Sequence, residues 1–409
     1  MMASKLSLNK DVPIKIIWTN VFLTILGLII LNSISKHHQV DILETPFGKQ
    51  LVILFPAIMV MVMVLFVPRA SIHKYSYPLY IFGVLIVILP YFGSPRAGTY
   101  RWLDIGLPFA IQTSEFTKIF TTLALARYLS DHTLKMKKIT SIIIPFLLVI
   151  VPSVIVMNQT DLGTALVMLS PIIPMLYWSG SRPFYLFLVI APALSIITAF
   201  HTLSFTIWAI ILGTVIVMER SSLTTTIFLF FSNVFLGLLA PFFWESLNPY
   251  QQNRILTFFN PEKDPLGLAY QLIQSKTAIG SGGMFGKGLG YGTQTHLKFL
   301  PVQESDFILS VIGEEMGFIT IAILLIVMGY LITKILGFAF ASKDRFSSLA
   351  LIGIATIFLA HVFVNTAMTV GLIPVKGLPF PFISAGGSFL ITSYMMIGLV
   401  LKLSVNYSD

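Results

Sequence analysis

Four short groups of ionisable and hydrogen-bonding residues interrupt an otherwise apolar chain. The first is Arg101-Trp102-Leu103-Asp104, followed by Gln112-Thr113-Ser114-Glu115-Phe116-Thr117-Lys118. Glu115 and Lys118 are three apart and share one face of a helix. They fall in the first turns of an apolar run, where ionisable groups are costly and face a cavity or a partner. Two arrangements fit the spacing. One is an internal ion pair with Thr113 or Ser114 capping the helix; the other is a charged pair in an outward-facing groove. The second group is Asn158-Gln159-Thr160-Asp161-Leu162-Gly163-Thr164. Thr160 or Asp161 would cap the next helix at the positive end of its dipole, and the surplus of polar groups leaves a binding role open. The third is Gln303-Glu304-Ser305-Asp306-Phe307, which opens an apolar run containing Glu314 and Glu315. Those two glutamates would be buried unless paired, and Arg254 or Lys118 could pair with them. The fourth runs from Gly371 to Ser388, where Pro374, Pro379 and Pro381 break the helix. Irregular backbone at membrane depth is tolerated where it lines a cavity or packs in protein.

The longest break in apolar character runs from Arg254 to Gly292. It turns at Asn260-Pro261 and places Asp264 between Lys263 and Pro265. A polar helical run with Gln271, Gln274 and Ser275 follows, and the stretch ends rich in glycine. An aspartate-proline turn that simply starts a helix at about 267–280 would account for Asp264. The aromatics Phe258, Phe259, Tyr270, Phe285 and Tyr291 argue for an ordered loop with a function. The glycines do not form a phosphate loop: Lys287 is followed by Gly288 rather than Ser or Thr, and Ser281 stands where the first glycine belongs.

The elements that must carry these residues are membrane helices. Of 409 residues 56% are apolar and only 11% charged, against about 25% charged in a soluble protein. Spans are expected at 15–33, 50–67, 78–94, 112–129, 140–157, 164–179, 184–200, 204–218, 225–243, 306–335, 350–372 and 383–403. The fold is therefore an all-α polytopic membrane bundle in one domain, residues 1–409, with one large loop at 244–305. With the N-terminus inside, fifteen Lys and Arg fall in inner segments and five in short outer ones. That bias places both termini in the cytoplasm and the large loop outside. The net charge of +9 lies in these loops and gives no reason to invoke nucleic acid. There are no cysteines, which excludes disulfide and thiol chemistry. The N-terminal apolar run is a full span rather than a cleaved leader.

Taken together, these motifs resemble the SEDS family (shape, elongation, division and sporulation), and its elongation branch more than its division branch. The resemblance rests on Arg101-Trp102-Leu103, Gln112 with Ser114-Glu115 and Lys118, and Asp161-Leu162-Gly163-Thr164. It continues through Asn260-Pro261, Asp264-Pro265, Gly267, Tyr270-Gln271 and Gln274-Ser275. It ends with Asp306-Phe307, Gly313-Glu314-Glu315 with Gly317, and the run from Gly377 to Ser388 that includes Ser384. It extends over nearly the whole chain. There are two departures. The family has ten spans against the twelve read here, the surplus lying between Gly180 and Phe243; and Lys376 and Ala385 replace a usual Thr and Tyr.

The resemblance implies a peptidoglycan glycosyltransferase of the bacterial cytoplasmic membrane that polymerises lipid II at the outer face. It places the essential aspartate at Asp264 and cavity-lining residues at Arg101, Trp102, Glu115, Lys118 and Asp161, with Arg254, Gln271, Gln274, Ser275 and Ser384 as further contacts. Asp264 would act as general base on a sugar hydroxyl. The departing undecaprenyl diphosphate would need positive charge, from Lys118, Arg101, Arg254 or a divalent cation such as Mg or Mn. Besides membrane lipids, the implied partners are a class B penicillin-binding protein transpeptidase and the elongation machinery of actin-like filaments and membrane adaptors. A flippase for lipid-linked precursors and a silent scaffold are the alternatives. The concentration of ionisable residues on one face counts against the first, and the presence of Asp264 against the second.

Overall fold

The computed structural model describes residues 13–36, 41–93, 99–104, 106, 110–131, 140–219, 222–247, 249–259, 269–297 and 299–405. In chain order its helices are α1 (Ile14–Ser35), α2 (Pro46–Phe66), α3 (Arg69–Ile88), α4 (Thr113–Asp131), α5 (Thr140–Asn158), α6 (Leu162–Leu169), α7 (Ile172–Trp178), α8 (Pro183–Thr198) and α9 (Thr202–Met218). They continue with α10 (Leu223–Leu238), α11 (Ala240–Ser246), α12 (Pro249–Phe259), α13 (Tyr270–Gly282), α14 (Thr293–His296), α15 (Ile308–Ala341), α16 (Arg345–Thr369) and α17 (Gly387–Ser404). A two-stranded antiparallel hairpin, β1 (Trp102–Leu103) with β2 (Ile111–Gln112), leads into α4.

Each expected span coincides with a helix or a helix pair. Among the described residues six helices are long and apolar enough to cross a membrane unaided, and α10 with α11, bent by 43°, would make a seventh. Residues 143–158 of α5, the α6–α7 pair, α8 and α9 are apolar but shorter. The expected span at 164–179 is two helices, because Pro171 carries no N–H to continue α6. That expected at 78–94 begins earlier, at Arg69, with Pro78 inside the helix. That at 383–403 starts only at Gly387, since the prolines before it keep the chain irregular. The last of the large differences is in α15. Gly317 takes φ 80, ψ 177 and breaks the helix after its first nine residues. The glycine-rich segment fills the break: Phe318 and Ile319 N–H groups donate to Gly283 O and Met284 O, while Lys287 and Gly288 N–H groups donate to Glu314 O and Glu315 O. A Cβ on Gly317 would meet the Gly286 backbone, so both the dihedral and the close approach require glycine there.

Two cores result. The main one joins α1, α2, α4, α15, α16 and α17, with α17 packed on α2, α3 on α4, and α13 along α15. The smaller one belongs to α8, α9 and α10, around Ala191, Trp208, Leu212, Ile216 and Leu229. It lies between Gly180 and Phe243, where the surplus spans were expected.

Candidate active site

The hairpin, the start of α6, the turn at 301–307 and the irregular segment at 372–386 converge at one end of the main core. The segment 372–386 is the centre of this arrangement, and every side of it is tied down. Ser384 Oγ donates to Ser305 O at 2.6 Å and accepts from Phe380 N–H at 2.8 Å. Ala385 N–H donates to Glu304 O. Gln50 of α2 donates to Ser384 O and accepts from Gly386 N–H. From α16, Asn365 Nδ2 donates to both Leu378 O at 2.6 Å and Asp306 O at 2.9 Å. Gln112 N–H donates to Ser388 Oγ. Gly163 allows α6 to begin against this segment, since a Cβ there would stand 2.7 Å from Lys376 O.

Three non-glycine residues of the described chain have positive φ: Thr160 (63°), Val302 (55°) and Phe382 (66°). One precedes Asp161, one precedes the Glu304–Asp306 run, and one precedes Ser384. Such conformations cost about 1–3 kcal/mol each and persist where the surroundings over-determine them. Here they bracket a single region.

Between α2 and this region lies a cavity of about 860 Å³, lined by Glu44, Lys49, Gln50, Trp102, Glu304, Ser305 and Ala385–Gly387 among others. Trp102 is half-buried in its wall, with the Arg101 guanidinium 5.7 Å from the ring centroid. Arg101 Nε is buried and has no hydrogen-bond partner among the described residues. Asp161 is buried and caps α6: Oδ1 accepts from Thr164 N–H, and Oδ2 accepts from Gln112 Nε2 at 2.7 Å and Thr164 Oγ1 at 2.9 Å. The capping expectation therefore holds for Asp161. It does not hold for α4, where the buried Thr113 and Ser114 hydroxyls have no partner among the described residues.

Glu115 and Lys118 form the ion pair, at 2.6 Å, but with 2% and 0% of their side-chain surface exposed they do not face an outward groove. Lys118 Nζ also donates to His361 Nε2 at 2.9 Å and lies 5.0 Å from the Phe389 ring centroid. His361 Nδ1–H donates to Pro379 O at 3.2 Å, which sets its tautomer and links the cluster to the 372–386 segment. Thr392 Oγ1 donates to Glu115. Sequence reasoning missed His361 and Asn365. The signal was present, as two polar residues four apart within an apolar span share a helix face and are costly unless used.

Glu314 does not pair with Lys118, which is taken by Glu115 and His361. Lys287 Nζ reaches Glu314 at 2.8 Å, and Thr293, Gln294 N–H and both the N–H and Oγ1 of Thr295 donate to it. The glycine-rich segment supplies the partner because the break at Gly317 lets it approach. Glu315 accepts from Ser33 Oγ at 2.6 Å. Ser275 is buried, donating to Thr369 O and bonded to Ser310 Oγ, so it fastens α13 to α15 and α16. Gln271 and Gln274 are half-buried on α13. Arg254 falls in α12, its side chain outside the described part. Asp264 lies outside the described residues, between α12 and α13.

Asp306 ends the 301–307 turn. Its surface is only partly covered, yet protein surrounds the carboxyl closely. That burial pushes its pKa up to about 6; the Ser305 hydroxyl and Arg101 act downward, Glu304 and Asp161 upward. Among the described residues no group of three or more His, Asp or Glu is placed to hold a metal ion. Arg101 and, in the cavity wall, Lys49 are cationic groups that this region presents.

The FtsW/RodA/SpoVE family model, described as a cell cycle protein, matches residues 14–206 and 201–409. The chain is 32% identical over 389 residues to the peptidoglycan glycosyltransferase MrdB of Escherichia coli, covering 94% of this chain and 92% of that one. It is 30% identical over 437 residues to the peptidoglycan glycosyltransferase RodA of Treponema pallidum, covering 96% and 98%. Among solved structures, the rod shape determining protein RodA of Thermus thermophilus superposes with a TM-score of 0.64 at 22% identity, over 97% of each chain. A chain of a peptidoglycan synthase complex, described as coordinating polymerization and crosslinking, gives 0.71 at 24% identity, over 97% and 98%.

Proposed function

The chain belongs to the FtsW/RodA/SpoVE family, and from that membership we propose that it is a peptidoglycan glycosyltransferase that polymerises lipid II during cell elongation. The reaction joins a sugar hydroxyl to the anomeric carbon of a second sugar and expels undecaprenyl diphosphate. It takes place at the outer face of the cytoplasmic membrane, with both termini inside. The observation that carries this reading is the cavity of about 860 Å³. Its wall brings together Trp102, the Glu304–Ser305 turn and the Ala385–Gly387 backbone, which come from three motifs far apart in sequence.

Asp264 takes the hydroxyl proton as general base, and direct displacement inverts the anomeric carbon. The leaving diphosphate is stable as an anion and needs positive charge rather than a proton. Arg101 supplies it, with a buried Nε donor still unpaired among the described residues. Lys118 is closed off by Glu115, His361 and Phe389 and supports the site from behind. A Mg or Mn ion would add further charge at the diphosphate. A class B penicillin-binding protein cross-links the product, and actin-like filaments with their membrane adaptors direct the pair. Transport of lipid-linked precursors gains nothing from the buried charges, because the Glu115–Lys118–His361 cluster is sealed rather than lining a path.

The test is glycan-strand synthesis from purified lipid II by the full-length protein and by Asp264→Asn. Polymer from the first and none from a folded second supports the reading. Equal polymer from both removes Asp264 from the chemistry. Translocation of labelled lipid II into vesicles, with no polymer from either, replaces the reading with transport.

A further inference from the structure

Asp306 is held by fewer hydrogen bonds than the nearby carboxyls of Asp161, Glu115 and Glu314. Asp161 accepts from three donors and Glu314 from five, while Glu115 accepts from Lys118 and Thr392. Among the described contacts Asp306 accepts only from Ser305 Oγ, at 3.2 Å. Its backbone, by contrast, is fixed on both sides. The N–H donates to Val302 O, and the carbonyl accepts from Asn365. Val302 sits at φ 55, an outlier for a β-branched residue. The turn is strained and pinned, yet the side chain it presents has been left one long hydrogen bond.

The charged groups that act on Asp306 are Arg101 from the hairpin, Asp161 from the start of α6 and Glu304 from its own turn. From α16 comes the Asn365 amide. The 372–386 segment presents backbone at Gly377, where a Cβ would lie 3.3 Å from Asp306 Oδ2. Two complementary groups therefore act on one another here: a guanidinium whose buried Nε has no partner among the described residues, and a carboxyl with one weak partner there.

We propose that Asp306, in its neutral form, donates a hydrogen bond to the diphosphate of the lipid-linked substrate and forms with Arg101 a two-sided seat for it. The inference rests on the lipid II reading above. An ionised carboxylate beside a diphosphate would repel it, whereas a neutral carboxyl offers an O–H and Arg101 a charged N–H. Burial pushes the Asp306 pKa up to about 6, and a bound anion raises its proton affinity further. No bond is made or broken at Asp306, and the proton stays on it. A diphosphate esterified at both ends has no proton to lose near neutrality, so any pH dependence of binding in this range belongs to the protein.

The experiment measures initial rates of glycan synthesis against lipid II concentration from pH 5.5 to 8, using the full-length protein in proteoliposomes. Wild type, D306N and D306A are compared. The wild-type KM rises above pH 6, approaching about tenfold per unit, while kcat changes less. D306N is permanently neutral and still a donor, so its KM loses that rise. D306A has no donor, and its KM at pH 6 is raised about tenfold or more. The proposal is overturned if D306N keeps the wild-type slope. It is also overturned if D306N loses turnover with KM unchanged, since an ionised carboxylate would then serve the chemistry. Should D306A not fold, wild type and D306N decide the matter alone. Calorimetric binding of a lipid II analogue with its 4-hydroxyl blocked, whose diphosphate is still esterified at both ends, at pH 6 and 7.5 reads the same proton uptake without turnover. A wild type that binds with this slope but makes no polymer would sink the polymerase reading and keep the seat; polymer without the slope would do the reverse.

Discussion

Around Lys118 the helices α4, α16 and α17 bury an ammonium, a carboxylate and an imidazole, each bonded to the next. Around Trp208 the helices α8, α9 and α10 bury a small apolar cluster. Its indole donates one hydrogen bond, to Ser195, and an exposed Arg182–Glu219 pair lies beside it. In a membrane both neighbourhoods are held by packing and interhelical hydrogen bonds rather than by exclusion of water. They differ in what failure costs. A buried ionic cluster is stable only while complete, and this one is wired through Pro379 to the segment that frames the cavity. The apolar bundle can absorb change locally.

The contrast is broken most severely by Lys118→Met, which strands Glu115 as a buried charge. It should cost about 3–5 kcal/mol, read as a lowered thermal midpoint in detergent. Glu115→Leu combined with Lys118→Met should recover most of that loss, and a single variant as stable as wild type would mean the pair is not sealed. Next in size is Asn365→Ala, which frees the Asp306 and Leu378 carbonyls together. The expected cost is about 1–3 kcal/mol, with polymer yield falling further than stability because the 301–307 turn and the 372–386 segment lose their common tie. Trp208→Phe sharpens the comparison from the other side. It removes the Ser195 hydrogen bond for about 1 kcal/mol and should leave glycan synthesis unchanged; a large loss of activity would show that the satellite bundle is coupled to the site.

The membrane fold was legible because long apolar runs have few alternatives in lipid, and Asp161 was legible as a cap because caps are local. What escaped was long-range. The spacing of Glu115 and Lys118 establishes that they meet but not whether they face a groove, and that was decided by His361, 243 positions away from Lys118. The partner of Glu314 depended on Gly317 breaking α15, a backbone event with only a glycine to announce it. Ser275 and Ser384 read as contacts for a substrate, and both are occupied by backbone carbonyls. Asp306 opened a span in the sequence reading, and the turn that isolates its carboxyl is set by Val302 and Asn365.

The most direct test is photo-crosslinking with a lipid II analogue that carries a diazirine beside its diphosphate, followed by mapping of the labelled peptides in the full-length protein. The account predicts label on the peptides containing Arg101–Trp102, Glu304–Asp306 and Ala385–Gly387, competed away by unlabelled lipid II. Label confined to α8–α10, or label on α4 around Lys118 with none at Arg101 or Asp306, would contradict it.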